Sequence, residues 1–137
     1  MKPLPETTNA LVLRTDFSDD GAWDAVCRAI QEPVGEFQAF VDCVSDAAFD
    51  GLAAADLLRL AAAGESRRGF LFVVDQMTLT NAEHPILVVD LWETPGRTFR
   101  VIPARMWSVE NNLSLANMDF HEFAESAGAD GVFRGFD

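Results

Sequence analysis

The sequence predicts a single α/β domain. Helices cover both faces of a central five-stranded mixed sheet, a three-layer-like arrangement in the order β-α-β-α-β-β-β-α-α. Three observations predict it. Strand-like and helix-like patterns alternate from Ala10 to Ala63; Gly69-Phe-Leu-Phe-Val-Val-Asp75 is apolar almost throughout, as a strand covered on both faces must be; and Pro95-Gly96 punctuates the two runs that follow it. With 137 residues, 49% hydrophobic and including 11 Phe and 3 Trp, the chain has the size and apolar content of one packed core. Residues 1–9 are expected as a flexible tail and residues 128–137 as a Gly-rich tail packed back on the domain.

The elements follow in order. Ala10–Arg14 is a short β-prone run, and the capping residues of Thr15–Asp20 turn it into a helix over Asp20–Gln31, where Ala22, Val26, Ala29 and Ile30 recur at spacings of three and four. Pro33 and Gly35 end that pattern. Glu36–Asp42 alternates and is aromatic-rich, which predicts a second strand; the leucines and alanines of Asp56–Ala63 form a second helix, stopped by Gly64. After the apolar third strand, Met77–Pro85 is a polar connection with room for one helical turn. Ile86–Trp92 and Thr98–Ile102 then form a hairpin around Glu93–Arg97, so the fourth and fifth strands are antiparallel. Pro103 suits a helix start, and Met106, Val109, Leu113 and Ala116 give an apolar stripe over Ala104–Leu115. Asp119 and Glu122 have the capping-box spacing for a last helix to about Ala127, and Phe133 and Phe136 require the tail to bury at least one of them.

Charge excludes one class of partner. Ten basic against 22 acidic residues give a net charge of −12, the wrong sign for neutralising a nucleic-acid backbone. Met1–Ala10 lacks the apolar stretch of a signal peptide, and the longest apolar runs, Phe70–Val74 and Ile86–Val89, are far shorter than the ~20 residues that cross a bilayer. A cytoplasmic protein with no membrane contact is expected. Cys27 and Cys43 fall in separate elements with no CxxC or Cys/His spacing, so buried reduced thiols are expected rather than a disulfide or a zinc site. Oligomeric state is not written in the pattern.

Asp16, Asp42, Asp75 and Asp90 each fall at or just beyond the carboxyl end of a strand, the edge where ligands enter open α/β sheets. If Asp16, Asp75 and Asp90 converge, they form a hard oxygen site able to hold Mg²⁺, or one in which repulsion raises a carboxylate's pKa. No other cofactor is expected. Asp90 belongs with them only if the fourth strand runs parallel to the third; the alternative is that each Asp caps the segment after its strand. A second constellation is Trp107, Glu110, Asn111, Asn112, Ser114 and Asn117. Trp107, Asn111 and Ser114 share a helical face and suit recognition of a peptide, base or sugar, while the asparagines equally suit a helix break that satisfies buried backbone groups. Arg97, Arg100 and Arg105 cluster around the fifth strand, where they can pair with the acidic edge, grip an anion or lie solvated. His84 and His121 have no partner at ligand spacing, and neither a nucleophile elbow nor a phosphate-binding glycine loop is present.

LVLRTDFSDDGAWDAVCRAI (11–30), FLFVVDQMTLTNAEHPILVVDL (70–91) and Thr98–Phe136 resemble a family of small proteins from actinobacteria and some fungi, with TDFSDD near the start and SVENNLSLANMDF near the end. The family is a domain of unknown function, so the resemblance implies no activity, cofactor or catalytic residue.

Three functions are compatible with these residues. The first is a non-catalytic binding or regulatory protein, inhibitor- or immunity-like, whose acidic, Trp-containing surface steers a basic protein partner. The second is a small enzyme using Asp16, Asp75 and Asp90, with or without a divalent metal, and Asn111 or Asn112 to orient substrate. The third is a small-molecule carrier with a pocket near Trp107.

Overall fold

The computed structural model describes residues 2–64 and 67–136. Strands β1 (Ala10–Arg14), β2 (Val41–Val44), β3 (Phe70–Val74), β4 (Ile86–Asp90), β5 (Thr98–Val101) and β6 (Val132–Phe133) form one sheet in the order β2-β1-β3-β4-β5-β6. β1 pairs parallel with β2 and β3, β4 runs antiparallel to both β3 and β5, and β6 adds parallel to β5.

Alternation along the strands divides the core in two. Val12, Phe72, Val74 and Val88 face the helices α1 (Asp20–Gln31), α4 (Met106–Ser114) and α5 (Phe120–Ser126), and with Val26, Ile30, Met106 and Phe123 they make the larger cluster. Leu11, Leu13, Leu71, Val73 and Val89 point the other way, against Phe49 and against Leu57 of α2 (Ala54–Ala63). The mixed sheet is thus covered on both faces, which is why β3 reads as an unbroken apolar run.

Departures from the sequence expectation have local causes. The second strand occupies Val41–Val44 rather than Glu36–Asp42. Phe37 and Phe40 belong to a connection tightened by the Val34–Phe37 bridge and held to α4 by the Phe37 ring stacked on Trp107 and the Phe40 amide on Glu110, not by a pleat. A sixth strand is present: Arg100 N donates to Gly131 O, and the tail runs alongside β5 with Phe133 fully buried. The polar connection after β3 carries a short helix α3 (Gln76–Thr80), started by Asp75, whose carboxylate accepts from Thr78 N at 3.1 Å. The helix expected over Ala104–Leu115 opens as a 3₁₀ turn at Pro103–Arg105 before α4 begins. In the hairpin turn Gly96 has φ of +94°, the left-handed backbone that the Pro-Gly pair supplies. Among the described residues, no helix is long and apolar enough to cross a membrane.

Candidate functional site

Asp16 and Asp75 lie just beyond the carboxyl ends of the neighbouring parallel strands β1 and β3, the edge at which α/β sheets bind ligands, and the segments that follow, α1 and α3, pack on the same face. Here the protein's own guanidinium groups occupy that edge. Arg14 is only 3% exposed. It donates to Asp16 O (2.8 Å), Ser45 Oγ (3.3 Å) and Asp20 Oδ1 (2.7 Å) and lies 4.3 Å from the Phe17 ring centre. Arg100 grips both oxygens of Asp75, at 2.9 and 2.7 Å, and also donates to Pro85 O at 3.1 Å.

Both carboxylates titrate below the ordinary range. Burial pushes Asp75 upward, but the Arg100 hydrogen bonds and charge, with the Thr78 amide, outweigh it. For Asp16, the hydroxyl and amide of Ser18 hold the carboxylate down, despite partial burial and the nearby charge of Asp75. A carboxyl group with a raised pKa is therefore not formed at this edge. Nor do the residues fit Mg²⁺, since a cation at Asp75 would have to displace Arg100 from both oxygens.

Asp90 is not part of this group. Because β4 runs antiparallel, Asp90 lies opposite Phe70, the first residue of β3, at the other end of the sheet. It is 1% exposed, and its carboxylate accepts from the amides of Trp92, Glu93 and Thr94 at 2.7–3.0 Å, holding the turn into the hairpin. The three-aspartate convergence expected as one possibility does not form.

The Trp107 constellation is also turned inward. Phe37 stacks on the Trp107 ring at 4.2 Å and 12°, and Trp107 Nε1 is buried without a hydrogen-bond partner. Glu110, 4% exposed, accepts from Phe40 N (2.6 Å), Asn111 Nδ2 (2.9 Å) and Ser114 Oγ (2.6 Å). Asn111 also donates to Gln38 O, and Asn112 to Ser108 O one turn back. Trp107, Glu110 and Asn111 thus fasten residues 37–40 to α4, while Asn112 bonds within the helix.

An open surface lies instead at the end of the sheet where β4 finishes. Trp92 projects from the hairpin with 83% of its surface exposed. Beside it is a hollow of about 300 Å³, walled by Phe70, Leu113, Met118 and Phe120 and edged by Glu93 and Asp119. Leu113 to Phe120 come from the second half of the SVENNLSLANMDF segment. Behind Glu93 stands His121, its Nδ1 2.5 Å from Glu93 Oε1. The two groups shift each other: the imidazole, hydrogen-bonded to Glu93, titrates above its ordinary range, and Glu93 titrates below its own because of His121. Glu93, Asp119 and His121 each offer a ligand atom within 4.8 Å of the others, and a divalent cation would compete there with the His121–Glu93 bond. On the other side of Trp92 a second hollow, of about 270 Å³, carries Arg67 and Arg68, the latter donating to Pro5 O at 2.7 Å.

The sequence singled out neither Trp92 nor Glu93, and it treated His121 as solvated. Only an exposed aromatic placed two residues after a strand-ending Asp could have pointed to them. No curated protein matches the chain at a significant level. The model of one family, the domain of unknown function DUF6924, matches residues 9–136. With nearly its whole length inside that match, the chain belongs to the DUF6924 family.

Proposed function

We propose that this is a non-catalytic binding protein of regulatory type, which receives a basic protein segment on the Trp92 surface. The single observation that carries the reading is the exposed Trp92 ring beside a hollow edged by Glu93 and Asp119. An indole gives a large rigid contact area, and acidic groups at its margin favour Lys or Arg in the partner. The net charge of −12 supports it, because a strongly acidic surface speeds encounter with a basic partner. The acidic, Trp-bearing face inferred from sequence is retained but moves from Trp107 to Trp92. The reading also keeps the cytoplasmic setting and takes TDFSDD and SVENNLSLANMDF as the family's signature segments.

A peptide array tests this. Arginine- and lysine-rich segments carrying one aromatic or aliphatic anchor are expected to bind, and acidic counterparts are not. Trp92→Ala should lower affinity at least tenfold, and binding should weaken as salt rises. Equal binding of basic and acidic peptides, or binding unchanged in Trp92→Ala, would overturn the proposal.

A further inference from the structure

The fold brings together two cysteines that the sequence separates by fifteen residues. Cys43 lies in β2 opposite Val12, on the sheet face that α1 covers, and Cys27 lies on α1 against the same core. Gln31, one helical turn after Cys27, reaches Cys43 Sγ with its Nε2 at 4.0 Å, so this stretch of α1 sits directly over Cys43. Both thiols are free and only partly buried, which leaves them within reach of a small reagent. They also act on each other. The Cys27 S–H supports a thiolate on Cys43 and holds that thiol below its ordinary range, while the same contact and burial push Cys27 up.

We propose that Cys27 and Cys43 form a redox-active dithiol, a modification site that closes to an intramolecular disulfide on reaction with a low-molecular-weight disulfide. The Cys43 thiolate attacks one sulfur of the reagent, the reagent's S–S bond breaks, and one small thiol leaves. Cys43 is then held as a mixed disulfide. Cys27 gives up its proton and attacks the Cys43 sulfur, expelling the second small thiol. Two protein thiols and one small disulfide thus become one protein disulfide and two small thiols; the protein loses two electrons and two protons, and the reagent gains them. The bond ties α1 to β2 and closes a loop around residues 28–42, the connection that carries Phe37 and Phe40 to α4.

The test uses the full chain equilibrated in oxidised and reduced glutathione, quenched by alkylation and read by intact and peptide mass spectrometry. The expected product is a monomer about 2 Da lighter than the reduced chain, with residues 27 and 43 in one cross-linked peptide pair and a thermal midpoint several degrees higher. Cys27→Ser should trap the glutathione adduct on Cys43, and Cys43→Ser should leave Cys27 reacting at least tenfold more slowly. The wild-type cross-link is read independently of how either variant folds. Oxidation that yields only cross-links between molecules, no cross-link under oxidising conditions, or faster modification of Cys27 than of Cys43 would overturn the proposal.

Discussion

Glu110 shows how a buried charge can be wholly occupied by structure. Its carboxylate is surrounded by the Phe40 amide, the Asn111 amide group and the Ser114 hydroxyl. Removing one partner of a buried hydrogen bond leaves the other unsatisfied, at a cost of about 1–3 kcal/mol. Glu110→Ala is therefore expected to destabilise the fold by about that amount in urea unfolding, and a change indistinguishable from zero would show that water replaces the carboxylate. The side chains of this group were legible as a set from the sequence, but their direction was not. Helical spacing places Trp107, Asn111 and Ser114 on one face without saying whether a distant loop lies on it, and Phe37 supplies that cover. Arg14 went unremarked for a related reason: a lone cation at a strand end becomes informative only when Asp20, Ser45 and Phe17 are seen around it.

At the scale of elements, the β4–β5 hairpin and α5 are joined through Glu93 and His121. The sign of the pH dependence follows from both groups. His121 is raised, so its contribution is complete below the unfolded imidazole value near 6.5 and is lost as pH climbs through the folded value. Glu93 is lowered, so its contribution is present above the ordinary carboxylate value near 4.5 and is lost as pH falls through the folded value. The contact is strongest in the window between. An NMR titration is expected to place the His121 midpoint above 6.5, and Glu93→Gln should bring it back toward that value; an unchanged midpoint in the variant would assign the shift to other neighbours. The antiparallel hairpin itself was readable from Pro95-Gly96, because the turn demands that chemistry. The second strand was misplaced because an aromatic alternation in a connecting segment imitates a pleat.

At the scale of the whole molecule, the sheet separates two ends with different uses. One end is closed by Arg14 and Arg100 on their carboxylates; the other carries Trp92 and its hollow. The tail helps to fix this arrangement, since Phe133 packs on Phe123 at 5.2 Å, and Arg134 pairs with Glu83 and Asp130. Phe133→Ala is expected to cost about 3–5 kcal/mol, the range for deleting a buried ring. A loss below about 1 kcal/mol would show that β6 detaches freely. Layering, element order and the position of the apolar strands were all legible, because burial on two faces writes itself into β3. The sixth strand was not, being two residues long in a Gly-rich segment that acquires its shape only beside β5. The candidate surface was hidden likewise, since chain direction in β4 decides which end of the sheet receives Asp90 and the residues after it.

The most direct measurement follows the indole N–H resonances of the three tryptophans while a basic, tryptophan-free peptide selected from the array is added. Trp23 lies in the core, Trp107 lies under Phe37, and Trp92 stands in solvent. The expected result is a saturable shift of the Trp92 signal with the other two unmoved. A shift centred on Trp107, with Trp92 silent, would contradict the assignment of the binding surface.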